Sequence, residues 1–359
     1  MDNVKSTSVY VSVNLICVVA LFSVILLHSA FFVTNDVLIH DSLAVYRGWI
    51  VTLYMCIGRI GVPLFIMLIG ALTFTQVKKD ETLKTFFKKR FSRVCLPFLF
   101  WGLIYFLWAV CVEKQVVTQE FIVKNIFSGS YVTFSEFYLF MGLYLALPLL
   151  RVMVANFTNK HFKYFIILWF VGTTLAAWIK FVSGWQYQID ANLFIIPQSI
   201  GYFVVGAYIS KVQVKRRISV SLTFLGIILS VIGTYLLVWN AGDVLFFFQE
   251  YSSITVFLAS VSLFMLLNSY GNFFEVSQMV KLSWKHRVLQ VISENSLSIY
   301  LFHIIVFYLI INGFFGLVLN GYAIDAIIGV PLIAILALLL SLVILIPIKK
   351  LRGLDRLIG

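Results

Sequence analysis

Residues 11–32, VSVNLICVVALFSVILLHSAFF, run for 22 positions without an acidic residue, lysine or arginine. As a helix this stretch is about 33 Å long. That matches the hydrocarbon thickness of a bilayer, about 30 Å. Nine further apolar stretches follow, at about 49–77, 94–112, 137–154, 164–182, 196–211, 218–238, 252–268, 289–313 and 323–348. Hydrophobic residues make up 61% of the chain and charged residues 12%. Soluble domains average about 45–50% and 25%, so no water-soluble core accommodates this sequence. The expected fold class is all-α, a polytopic transmembrane helical bundle of about ten spans. With few long loops between them, residues 1–359 read as a single integral membrane domain. The first stretch reads as a retained span rather than a cleaved leader, because only Lys5 precedes it and no A-x-A-like site follows.

The net charge of +12 invites a nucleic-acid reading, but the placement of the charges argues otherwise. If the N-terminus is cytoplasmic, 22 of the 27 Lys and Arg lie on the cytoplasmic side and four on the other, with Arg59 inside a span. This is the positive-inside pattern. It predicts that both termini are cytoplasmic and that the basic charge serves topology and lipid headgroups, not nucleic acid. The four cysteines, Cys17, Cys56, Cys95 and Cys111, lie in or beside apolar stretches without CxxC or Cys/His spacing. Neither a disulfide framework nor a metal site is expected.

Ionisable groups inside spans cost about 2.5–3.5 kcal/mol at a helix centre and commonly face a bundle interior or cavity. Three stand out: His28, Arg59 and His303. Cys17 precedes His28 by 11 residues, three helical turns and about 20°, so the two share a face about 16 Å apart. Asn14 lies one turn below Cys17. Imidazole is the side chain best suited to take a proton from a hydroxyl near neutral pH, so His28 is a candidate base; an interhelical hydrogen bond is the other reading. Arg59 begins RIGVPLFIMLIGALTF (59–74), and a buried guanidinium needs an anion or carbonyls. Ion pairing, with Glu136, Glu294 and Asp325 near span edges, and substrate binding are both open for it. Arg90 and Arg93, in the basic stretch 78–101, share a helical face at i, i+3 and suit phosphate groups. His303 follows a polar lead-in, SENSLSIY (293–300), and reads equally as a packed or a functional group.

Taken together, these pieces resemble the acyltransferase-3 family of integral membrane O-acyltransferases, which modify bacterial surface glycans. The resemblance rests on VVALFSVILLHS (18–29), the 59–74 segment, FKKRFSRVCLPFLFW (87–101), EFYLFMGLYLALPLLR (136–151), IGYFVVGAYIS (200–210) and SLSIYLFH (296–303), in that order. It implies that His28 is the essential histidine of the first helix. It also implies that Arg90 and Arg93 are the R-x-x-R pair associated with the acyl-CoA donor and that Arg59 is the arginine of the second span. Three positions depart from the family pattern: Cys17 stands in place of an arginine, Asn14 of an aspartate and Ile69 of a serine.

The implied activity is transfer of an acyl group, acetyl above all, from cytoplasmic acyl-CoA to a sugar hydroxyl. The acceptor would be a surface polysaccharide or its lipid-linked precursor, and the setting the bacterial inner membrane. His28 would be catalytic and Arg90 and Arg93 would bind acyl-CoA. Arg59 would contact the oxyanion or substrate, while Asn14, Cys17 and His303 would orient groups or line the donor path. Acyl-CoA, the glycan and membrane lipids are the expected partners, with no bound cofactor. Two other readings fit the span pattern. One is a transporter or flippase for a small anion or lipid-linked sugar, against which the lack of an internal repeat counts. The other is a degenerate, non-catalytic member of the family, suggested by Cys17.

Overall fold

The computed structural model describes residues 11–34, 42–75, 83–127, 132–182, 197–212, 214–241, 247–270, 284–314, 325–351 and 353–359. Among them every regular element is helical: α1 (Val11–Thr34), α2 (Ser42–Gly58), α3 (Gly61–Thr75), α4 (Leu83–Cys111), α5 (Gln119–Phe127), α6 (Val132–Asn156) and α7 (Asn159–Val182) form the first half. The second half is α8 (Gln198–Ile209), α9 (Arg216–Ala241), a short 3-10 turn at Phe247–Gln249, α10 (Ile254–Asn268), α11 (Trp284–Glu294), α12 (Ser296–Ile311), α13 (Ala326–Lys349) and α14 (Leu354–Ile358).

Each of the ten apolar stretches falls on helix, though not each on one uninterrupted helix. Eight helical segments among the described residues are long and apolar enough to cross a membrane. The α11–α12 pair, bent by 74°, makes a ninth if counted as one broken span. Among the described residues the sixth stretch forms the 12-residue α8, about 18 Å long. The second is interrupted at Arg59–Ile60, where α2 ends and α3 begins.

Outward faces of the peripheral helices are apolar. On α7, Ile167, Val171 and Leu175 recur at four-residue spacing and are more than half exposed; on α9 Phe224, Ile228, Ile232 and Leu236 recur at the same spacing and are all exposed. Residues at this spacing line one helix face. Continuous apolar faces of this kind are foreign to water-soluble monomers and natural against lipid tails.

Helix α1 lies at the centre and packs against α2, α3, α10, α11, α12 and α13. Ile16, Ala20, Leu21, Val24, Ile25 and Ala30 are wholly buried. In lipid there is no hydrophobic drive between helices, so close packing of small residues carries their association. Two contacts show it. At the α2–α3 junction a Cβ on Gly58 would sit 2.5 Å from Leu27 Cβ, and one on Gly61 would sit 2.7 Å from the Ala20 carbonyl oxygen. Only glycine lets this junction lie against α1. Where α3 crosses α8, a Cβ on Gly70 would collide with the Phe203 carbonyl, and one on Gly206 with the Met67 carbonyl. At the far end of the chain, the Trp101 indole N–H donates to the Ile358 carbonyl at 3.2 Å. Ser298 Oγ donates to Gly359 O. Helix α14 is thereby held against α4 and α12.

Replacing Gly206 with Val forces backbone apart at the α3–α8 crossing, and overpacking of this kind costs about 1–3 kcal/mol or more. Gly102 has open space around it. Thermal unfolding of the detergent-solubilised protein is therefore expected to show a clear drop in midpoint for Gly206→Val and essentially none for Gly102→Ala.

Candidate functional site

The site is built on α1 and α12, which run side by side. His28 and Phe32 are four residues apart on α1; His303 and Phe307 are four apart on α12. An i, i+4 pair shares a helix face, so the two faces meet in register. The ring centroids of His28 and His303 are 5.2 Å apart, tilted by 50°. Those of Phe32 and Phe307, one turn further on, are 5.3 Å apart. His28 is 4% exposed and His303 wholly buried. The Ser29 hydroxyl donates to the Val330 carbonyl at 2.8 Å and ties this part of α1 to α13.

His303 Nδ1 lies 3.2 Å from the Ile299 carbonyl oxygen. A carbonyl only accepts, so this contact places the proton on Nδ1 and leaves a lone pair on Nε2. Nε2 of His303 and Nε2 of His28 are both buried without a hydrogen-bond partner. Nearly all buried polar atoms are satisfied in native proteins. Two unmet nitrogens on adjacent rings therefore mark a place where a hydroxyl, water or substrate atom belongs.

Arg59 sits at the two-residue turn between α2 and α3. The junction is a tight turn rather than a gap, with Arg59 N–H on the Met55 carbonyl at 2.9 Å and Leu64 N–H on the Ile60 carbonyl at 3.1 Å. The guanidinium carbon lies 5.9 Å from the Phe31 ring, three residues past His28, and 5.9 Å from the Tyr251 ring. It is within electrostatic range of His28. Of the acidic groups considered for it, Asp325 caps α13, accepting from the Ile327 N–H at 2.9 Å. Glu294 accepts from Gln290 Nε2 at 2.8 Å. The Glu136 side chain lies outside the described residues.

The opposite end of the α1 face meets the bend between α11 and α12. The Cys17 thiol faces the Ser293 carbonyl at 3.9 Å, with Ser296 also beside it. Asn295 at the bend accepts from Lys349 Nζ at 2.9 Å. Asn14 is half-buried one turn before Cys17. Between this end and the imidazoles, the α12 face carries Ser296 and Tyr300, and the Tyr300 ring is 5.9 Å from that of His303. A polar strip thus runs from Cys17 to the histidines through the middle of an apolar bundle.

Arg90 and Arg93 lie on the first half of α4. Arg93 is exposed; the Arg90 side chain lies outside the described residues. Pro97 and Trp101 continue the Arg93 face at four-residue steps. Trp101 packs 5.4 Å from Phe302 of α12. The arginine pair therefore sits on a helix that reaches α12 two to three turns further on, at Trp101.

The structure thus gathers His28, His303 and Arg59 in one place. It sets Cys17 and Asn14 along the same strip, with Arg90 and Arg93 on α4. Sequence reasoning did not find the His28–His303 pairing, the helix break at Arg59, or Tyr251 as its neighbour. The shared His-x-x-x-Phe spacing on both helices was the available signal. Among the described residues no group of three or more His, Cys, Asp or Glu is placed to hold a metal ion.

The profile of the acyltransferase-3 family, described as an acyltransferase domain, matches residues 10–346. The chain belongs to this family. No curated protein and no solved structure matches it. Acyl transfer in a multi-pass membrane protein is the chemistry that membership supports.

Burial ranks the thiols. Cys17 and Cys56 are buried, Cys95 half-buried and Cys111 exposed. With a membrane-permeant maleimide on the folded protein, Cys111 is expected to label first. Cys17 and Cys56 are expected to label only after denaturation, as read by peptide mass spectrometry. Rapid labelling of Cys17 would contradict the packing of α1 against the α11–α12 bend.

Proposed function

We propose that the chain transfers an acetyl group from cytoplasmic acetyl-CoA to a sugar hydroxyl of a surface polysaccharide or its lipid-linked precursor. The setting is the bacterial inner membrane, with ten membrane segments and both termini in the cytoplasm. The observation that carries this reading is the buried His28 Nε2, unmet by the protein and reached by a polar strip along α1 and α12.

In this reading Arg90 and Arg93 grip the phosphates of the donor at the cytoplasmic mouth; two guanidinium forks suit that charge. The pantetheine arm follows the strip past Cys17, Ser296 and Tyr300. His28 takes the proton of the acceptor hydroxyl as its oxygen attacks the thioester carbonyl. Arg59 steadies the negative charge that develops on the carbonyl oxygen, in surroundings with little water to screen it. Where the family pattern has an arginine, Cys17 offers only a thiol beside a carbonyl and a serine. Cys17 itself therefore supplies no cation at that point; Lys349 sits at the same bend on Asn295, and Arg90 and Arg93 carry the charge recognition of the donor.

The test uses inverted membrane vesicles supplied with labelled acetyl-CoA, at matched protein levels. Wild type is expected to label glycan lipid, and His28→Ala to lose about 10²–10⁴-fold of that rate, the usual contribution of a general base. Arg90→Ala with Arg93→Ala is expected to raise the donor KM by about tenfold or more, since hydrogen bonds to charged groups are worth about 1.5–3 kcal/mol. Equal labelling by wild type and His28→Ala would overturn the catalytic assignment. Donor-independent substrate uptake would instead support a transporter.

A further inference from the structure

His303 has no part in the mechanism above, yet it is the most deeply buried polar ring in the bundle's centre. Its proton is committed to the Ile299 carbonyl through Nδ1, so its Nε2 offers a lone pair. That lone pair has no partner, and neither has Nε2 of the neighbouring His28. The two nitrogens belong to neighbouring rings whose centroids are 5.2 Å apart. An unmet buried polar group costs about 1–3 kcal/mol, and here two of them fall on adjacent rings.

We infer that His28 and His303 form a working pair that holds one mobile proton during acyl transfer. The inference rests on the acyl-transfer reading above. The acceptor oxygen forms a bond to the thioester carbonyl carbon, and its proton moves to His28 Nε2. The charged His28 ring is held by the lone pair of His303 Nε2. As the C–S bond breaks, the thiolate takes the proton, releasing the thiol and restoring both neutral rings. His303 sits on the helix that carries Tyr300 and Ser296 toward the Cys17 end, the side from which the thioester arrives. It is therefore a positioning residue: it acts through His28.

Among the described residues, the groups around the pair come from several elements. The α2–α3 junction brings Arg59, within electrostatic range of His28 and itself beside Tyr251 of the segment before α10; α12 brings Phe307. Helix α12 also brings Tyr300. Helix α13 offers the Val330 carbonyl to Ser29. Its own charged ends are occupied, Asp325 as a helix cap and Lys349 on Asn295. Glu294 of α11 is bonded to Gln290. No carboxylate among these does for His28 what a second imidazole can do.

The experiment compares His303→Phe and His303→Gln with wild type and His28→Ala, in acetyl transfer from labelled acetyl-CoA across pH, at matched protein level. Phe keeps a ring and removes the lone pair; Gln restores an acceptor that does not titrate. His303→Phe is expected to lower kcat by about 10²-fold or more, with donor and acceptor KM within threefold, and to displace the acid limb of the pH–rate profile. His303→Gln is expected to recover part of kcat and to keep the limb near its wild-type position. Unchanged kcat and pH profile in His303→Phe, with His28→Ala inactive, would overturn the pairing and leave the acyl-transfer reading standing. An equal loss in both His303 variants with an unmoved acid limb would mean that the ring only packs, and would also overturn it. Absence of transfer by wild type would sink both readings together.

Discussion

The price of a polar group in hydrocarbon governs the arrangement around α1. A helix buried on nearly all sides has no water to satisfy His28, Ser29 or Cys17, so every partner must come from another helix. Ser29 finds the Val330 carbonyl and Cys17 the Ser293 carbonyl. His28 finds a second imidazole and the edge of a guanidinium's field. The helices that supply these groups are the ones packed on α1, and glycines at 58 and 61 let the nearest of them close in. The same packing that assembles the bundle concentrates its polarity on one strip.

That strip gives family membership a chemical form. Membership alone says that an acyl group is moved. In the proposed function, the two buried imidazoles and Arg59 are assigned what moving it to a hydroxyl requires: a place for a proton and a positive charge near a developing oxyanion. The two interruptions, at Arg59–Ile60 and at Asn295, fall at either end of the strip.

Much of this was legible in the sequence. The ten apolar stretches all fall on helix, and the three ionisable residues that stood out within them meet in space. Periodicity was silent on who meets whom: ten apolar faces look alike, and only packing selects α12 as the partner of α1. It also missed the break beside Arg59, because "CIGRIG" (56–61) keeps its apolar character across the turn. Length says little about α8, whose stretch shows 12 helical residues among those described. It is held by close contact with α3, a feature visible only as the glycines at 70 and 206. The basic pair on α4 was legible as a face, but the contact of its helix with α12 was not.

The most direct test of this account is the structure of the protein bound to a non-hydrolysable acetyl-CoA analogue in a lipid nanodisc. The account predicts pantetheine density along the strip from Cys17 past Tyr300. It places the acyl carbonyl so that a hydroxyl within about 3 Å of His28 Nε2 can attack it. An analogue held only at the α4 surface, with its acyl end away from α1 and α12, would contradict the claim that the two histidines mark the reaction centre.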